Sequence, residues 1–496
     1  MNDLYNAGVT DDALALIFEA NKKNQVAVKT PAGLTEREVV EEIVLQGEVF
    51  GPLQCSVQVD TFGKECLAQS KHLYSYRDCV GVPPLAMIDD LLAVSECGIE
   101  TVKTNAYLNA KTSVKKLQFG GKKCHKLHIG RNQHVCPDLF VDDWRMEKID
   151  EFETGIRNLK DVFNGDYSME GVEDEKYLGD ILTTDGTNTK NVESRKSKGV
   201  GSVSQILSML EEITFGPYYF QVAMTFRSTL LVNSILTNSE AWYGLTKSDI
   251  DALEWNDLNL LRKIFEVPFS CPKEMLYLET GCLPISYIIV SKRLMYLHYI
   301  LHEEESSLIS RFFYTQLKRP LKGDWVLEVQ KNLEEYRIKS TMEEIKKMSH
   351  EKFKKEVDDA VKSKAFEDLI NMKNSHSKVK HIQYEKFQMQ GYLKPCSLTN
   401  FEAKFAFHAR SRMLRVKKNY GQKVCCPVCK IDGVEDTQSH LLNCGALVSE
   451  NILTTKLPDY DNLFSKNLEE QINIVRILKQ NFGARKRFLD KENSKS

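Results

Sequence analysis

The sequence predicts an α+β protein, with short strands and hairpins in its first third, a long helical middle and a small cysteine-rich module near its end. Three observations carry that expectation. Leu85 to Val94, Leu-Ala-Met-Ile-Asp-Asp-Leu-Leu-Ala-Val, sets two adjacent aspartates between short apolar runs bounded by Pro83-Pro84 and Cys97-Gly98, the pattern of a tight buried hairpin with acids at its turn. From about residue 200 apolar residues recur at spacings of three and four, the helical period. Cys426-Pro427-Val428-Cys429, followed by His440 and Cys444, supplies four soft donors at the spacing of a CCHC metal knuckle.

Composition narrows the classes. At 496 residues, 42% hydrophobic and 27% charged, the chain is long enough for two to four globular domains and is not a disordered polymer. A formal net charge of -2 excludes a uniformly basic nucleic-acid binder, so any such surface has to be local. No run approaches the ~18 apolar residues that span a bilayer, and Met1 to Asn6 does not read as a signal peptide. An odd, scattered set of 13 cysteines fits reduced thiols, and the expected location is intracellular, nuclear or nucleocytoplasmic.

In order along the chain, Thr10-Asp11 can cap a helix, Gln25 to Lys29 alternates as a short strand, and Pro31-Ala32-Gly33 turns it. Gln46-Gly47-Glu48-Val49-Phe50-Gly51-Pro52 fixes an unusual backbone just ahead of an apolar helix over Leu53 to Leu67. The hairpin acids come next. Carboxylates among apolar residues need a partner cation, which makes Asp89 and Asp90 candidate Mg²⁺ ligands, although aspartate also favours exposed turns.

A Gln-Gly-x-x-x-Gly-Pro turn leading into a helix and followed by an Asp-Asp hairpin resembles motifs B and C of reverse transcriptases, those of non-LTR retrotransposons most closely. Leu117-Gln118-Phe119-Gly120-Gly121-Lys122-Lys123-Cys124-His125-Lys126-Leu127-His128-Ile129-Gly130 is similar to their motif D, and Tyr177-Leu178-Gly179-Asp180-Ile181-Leu182 to the Tyr-Leu-Gly strand that follows their palm. The resemblance implies RNA-directed DNA synthesis on an RNA template and DNA primer through two Mg²⁺ ions. It makes Asp89 the palm metal ligand, Asp90 a supporting acid, Lys123 the cation at the departing pyrophosphate, and Gln46 and Gly47 the turn against the nucleotide or template base. The family's motif A carboxylate, which precedes the Gln-Gly turn, has no counterpart among residues 1–44. The expectation is therefore an N-terminally truncated polymerase that is inactive by itself.

By the same resemblance residues 1–185 are a partial palm and residues 186–310 a helical thumb. Helices are expected over Ser202 to Leu210, Ala223 to Leu236, Ile250 to Phe265 and a buried Ile288 to Leu301. Arg227, Arg262 and Lys263 are either phosphate contacts or solvated surface. Residues 311–400 form a charged helical connector, where Ser340-Thr341-Met342-Glu343 reads as a capping box opening one long helix to about Asn371.

The last informative region is 401–450. Eight Lys or Arg lie between Phe401 and Lys430 against the single acid Glu402, interleaved with Phe401, Phe405, Phe407 and Tyr420. Arg410, Arg412, Arg415, Lys417 and Lys418 are the candidate phosphate contacts. Cys426, Cys429, His440 and Cys444 are the candidate Zn²⁺ ligands, Cys425 is an alternative, and a module this small is expected to need the metal to fold. Similar fingers follow the thumb in several non-LTR retrotransposon proteins. A second cluster, Cys124, His125, His128, His134 and Cys136, competes weakly. In the helical tail, 451–496, Pro458-Asp459 resembles a nuclease motif without its partner residues, and Arg485-Lys486-Arg487 reads as a phosphate contact, an import signal or a frayed basic end.

Overall fold

A computed structural model describes residues 167–395, 397–447, 459–465 and 467–494, with shorter stretches before them, among them 9–21, 33–40, 74–77, 80–87, 90–95 and 123–129. The fold is mixed α/β and mostly helical, with small sheets. The chain divides into two compact units. One comprises Met1–Asn188 with Glu304–Pro320, the other Thr189–Glu303 with Leu321–Ser496.

In the first unit, helix α1 (Asp11–Asn21) leads into paired strands β1 (Asn24–Val26) and β4 (Glu38–Val40), which bracket the small hairpin of β2 (Lys29–Thr30) and β3 (Gly33–Leu34). Strands β5 (Ser75–Tyr76) and β6 (Val80–Gly81) form a second hairpin, and β7 (Leu85–Met87) with β8 (Asp90–Leu92) a third. Strand β9 (His125–Leu127) runs parallel to β12 (Glu170–Val172), β10 (Phe140–Val141) pairs with β11 (Tyr167–Ser168), and β13 (Asp174–Tyr177) pairs with β14 (Asp180–Thr183). Every sheet among the described residues has two strands, so they form no continuous multistranded palm sheet. The Tyr-Leu-Gly segment is a turn as much as a strand. Leu178 and Gly179 both take positive φ, 49° and 91°, between Tyr177 and Asp180, the two-residue turn that matches strand twist.

The second unit is helical. Helix α2 (Thr189–Glu212) packs on α4 (Lys247–Phe265), and between them α3 (Tyr219–Phe226) passes through a π turn, Arg227–Val232. Gly199 sits at the crossing because a Cβ there would lie 2.3 Å from the Asn256 side chain. Helices α5 (Lys273–Thr280) and α6 (Ile285–His302) follow, the latter bearing the buried Ile285, Ile289, Leu294 and Leu297 that its apolar sequence predicts. Helix α7 (Leu308–Lys318) belongs to the first unit, where Phe312 packs edge-on to Tyr76 with ring centroids 4.7 Å apart. Helix α8 (Trp325–Glu335) returns to the second.

The expected single helix after residue 340 is two. Thr341 and Glu344, one position later than the sequence suggested, form the capping box of α9 (Met342–Lys347). Ser349 then breaks the run by capping α10 (His350–Ser375), whose buried Phe353, Val357, Val361, Ala365 and Leu369 recur every four residues. Helices α11 (Asn400–Arg410), α12 (Gln438–Asn443) and α13 (Leu468–Asn493) complete the unit and share one apolar core with α2 to α5.

Candidate metal centre and basic surface

The metal module is built from two short pieces of backbone. A bridge between Cys425 and Glu435, with Cys426 N–H donating to Val434 O at 2.8 Å, brings the Cys-x-x-Cys turn against the residues that lead into α12. Lys430 and Gly433 reverse the chain with positive φ, 54° and 79°. Thr437 caps α12, accepting from His440 N–H at 2.9 Å, and this helix carries His440 to face Cys429. The donor atoms of Cys426, Cys429, His440 and Cys444 lie within 4.8 Å of one another, and His440 Nε2 is 3.4 Å from Cys429 Sγ.

The chemistry of this donor set fits a metal ion. A backbone N–H from Ile431 aimed at Cys429 holds its thiol below the ordinary value, while burial pushes Cys444 up to about 11. Three sulfurs and an imidazole nitrogen converging this closely offer a soft cation four donors. The bridge leaves Cys425 exposed with its sulfur 4.0 Å from Asp432, outside the ligand cluster, so Cys426 takes the position for which Cys425 was an alternative.

The module is not a free-standing bead. Cys426, Val428, Leu441, Leu442 and Cys444 belong to the core of the second unit. Asp436, 2% exposed, accepts from Lys417 N–H at 2.8 Å and from the Arg485 guanidinium at 2.6 Å, and Asn481 Nδ2 donates to the carbonyls of Leu441 and Leu442 at 3.1 Å. Arg485 is thus neither a frayed end nor a phosphate contact, because a buried carboxylate claims it. The spacing Ile474, Leu478, Asn481, Arg485 was the available signal, since it places an amide and an arginine on the apolar stripe of α13.

Burial sorts the basic residues that composition had pooled. Arg410 is 3% exposed. Its Nε lies 3.0 Å from Glu279 Oε1, its Nη1 donates to Leu463 O at 2.8 Å, and the guanidinium lies over the rings of Tyr392 and Phe464. It therefore leaves the set of phosphate contacts. Arg227 is similarly buried in a two-pronged pair with Asp257, both contacts at 2.6 Å, while Lys263 is exposed and Arg262 lies over Phe269. Arg412 is half-buried, and Lys418 pairs with Glu435 at 2.7 Å on the surface. Arg415, Lys417 and Lys423 are exposed, as are Tyr420 and Val424 between them. Asp459 accepts from Asp461 N–H and caps a short 3₁₀ turn, Tyr460–Phe464.

In the first unit β7 and β8 pair antiparallel, with Met87 opposite Asp90. Asp89, Gln46 and Gly47 lie outside the described residues. Asp90 is exposed and opens the return strand, Met87 is 54% exposed, and Leu85, Leu91 and Leu92 are half-buried, so the hairpin is less buried than its apolar runs suggested. Lys123 is exposed ahead of β9. Tyr177 Oη donates to Leu85 O at 3.3 Å, and burial followed by the Asp90 carboxylate pushes its phenol up. His125 Nδ1 lies 2.7 Å from Glu175. Cys124, His125 and His128 form no ligand cluster among the described residues, and His134 and Cys136 fall outside them.

No protein-family model matches this chain, and no curated protein matches it. Among the described residues no helix is long and apolar enough to cross a membrane.

Proposed function

We propose that this chain is a zinc-dependent nucleic-acid-binding protein derived from a non-LTR retrotransposon reverse transcriptase. The observation that carries the reading is the convergence of Cys426, Cys429, His440 and Cys444 within 4.8 Å, next in sequence to the exposed Arg415, Lys417 and Lys423. Three thiolates and an imidazole close a tetrahedral Zn²⁺ shell with no open position, which suits a structural ion. The ion fixes the turn that follows the basic strip, and the strip neutralises phosphates, with the exposed Tyr420 offering a ring to an unpaired base.

The test joins metal analysis to RNA binding by the purified chain. We expect one zinc per chain and RNA affinity that falls with rising salt. Replacing Arg415, Lys417 and Lys423 together with alanine should lower the slope of log affinity against log salt by about 2, three phosphate contacts on a single strand. Absence of retained zinc, or an unchanged salt slope, refutes the proposal.

A second reading, RNA-directed DNA synthesis, is favoured by the contacts in the first unit. The Tyr177–Leu85 hydrogen bond and the His125–Glu175 pair make neighbours of the Asp-Asp hairpin, the strand after Lys123 and the Tyr-Leu-Gly hairpin. Asp89 would hold Mg²⁺ with Asp90 in support, and bound Mg²⁺ supplies charge neutralisation at the reacting phosphate. One turn carboxylate is too few ligands for two such ions. We therefore expect no primer extension by this chain alone, and extension abolished by Asp89→Asn would make the polymerase reading the better one.

A further inference from the structure

Within the second unit, the loop that ends α2 displays an aromatic ring in a way its own packing does not explain. Phe215 is 88% exposed, the most exposed large apolar side chain among the described residues. The backbone beneath it is pinned on both sides. Asn400, 7% exposed, donates through Nδ2 to Thr214 O and to Gly216 O, and Thr214 Oγ1 donates back to Leu210 O and Glu211 O at 3.2 and 2.9 Å. The loop is tied down on both sides of Phe215, and the ring stands in water.

Phe401, 51% exposed at the start of α11, stands beside it with ring centroids 6.0 Å apart and planes tilted by 46°. At that tilt the rings do not cover each other's faces. Together they line an open cleft of about 620 Å³ whose charged lining residues, Arg476 and Lys479, are both cations from α13. Each lies 3.8 Å from Glu402 Oε1, and the other oxygen of Glu402 accepts from Thr399 N–H and Oγ1 at 3.1 and 2.9 Å. Two cations thus share one outlying carboxylate oxygen, and the rim keeps a net positive charge.

Open aromatic faces beside two cations that share a single carboxylate are what a nucleobase and its phosphates require. A duplex hides its base faces, so the complementary ligand is a single strand. We infer that this cleft is a base-stacking subsite for single-stranded nucleic acid, in which a base lies against Phe215 and Phe401 and the adjoining phosphates meet Arg476 and Lys479. The inference rests on the nucleic-acid reading above and adds to it a second contact region, in which Phe401 of the basic segment joins Phe215, Arg476 and Lys479, which no motif marked.

The experiment measures fluorescence anisotropy of a labelled twelve-nucleotide oligouridylate and of an abasic oligomer of equal length, at fixed salt, with the full chain. Four proteins are compared: wild type, Phe215→Ala, Phe215→Trp, and the variant in which Arg415, Lys417 and Lys423 are all alanine. Removing one stacking ring should weaken oligouridylate binding about fivefold or more and leave abasic binding unchanged, and tryptophan should restore it. Circular dichroism should show no loss of fold, because so exposed a ring makes little packing contact. Phe215→Ala binding that equals wild type, or that falls equally for both oligomers, overturns the subsite. If only the triple variant loses binding, the basic strip stands and the subsite fails. If only Phe215→Ala loses it, the subsite stands and the strip fails. A wild-type chain that binds neither oligomer overturns both.

Discussion

The Asp-Asp hairpin and the metal module were the two strongest motifs in the sequence, and the fold treats them differently. The hairpin is a local object. Among the described residues its strands pair only with each other, Asp90 is exposed, and its ties are the phenol of Tyr177 on Leu85 O and the Tyr74 N–H on Val94 O. The module is equally short, yet helix α13 locks it through Arg485 and Asn481, and its ligands Cys426 and Cys444 are buried in the unit's common core. Burial and long-range bonding, rather than motif strength, decide how much of the chain responds when a motif is broken.

That contrast is open to attack, most forcefully at the metal. Cys444→Ala should release the ion and also lower the stability of the whole second unit, because structural zinc contributes on the order of 10 kcal/mol to small sites and this ligand lies in shared core. A thermal melt with zinc analysis checks it, and a melting temperature indifferent to Cys444 would show the module to be as independent as the hairpin. Next in size is Arg410→Ala. It leaves Glu279 buried and without its guanidinium partner, an error that costs about 3–5 kcal/mol, read by urea unfolding. Arg415→Ala, only five residues on, should change stability by less than about 0.5 kcal/mol. Equal losses at the two positions would erase the division of the basic segment into interior and surface. The smallest effect belongs to the hairpin. Tyr177→Phe removes one hydrogen bond, worth about 1 kcal/mol, and should speed amide exchange of the described hairpin residues without touching the second unit.

Much of the helical part was legible because its cause is periodic. The four-residue recurrence of Phe353, Val357, Val361, Ala365 and Leu369 in α10 is visible in the bare sequence. The four metal donors were legible for a different reason, since a tetrahedral shell restricts ligand types and spacings so severely that few other patterns satisfy it. Charged residues were not legible in this way. A guanidinium looks the same in sequence whether it meets a phosphate or a buried carboxylate, and the acids that claim Arg410, Arg227 and Arg485 stand 131, 30 and 49 positions away. Composition alone grouped Arg410 with Arg415.

By itself the sequence determined the mixed class, the helical second unit, the hairpin pairing and the donor set of the metal centre, because each follows from repeats or restraints acting over a few residues. Tertiary structure decided which cations remain on the surface, that the knuckle is part of a larger core, and that the loop carrying the exposed Phe215 is tied down by an asparagine 185 positions further along. Those outcomes depend on which distant groups meet, and no local pattern in a chain records the partner that folding brings to it.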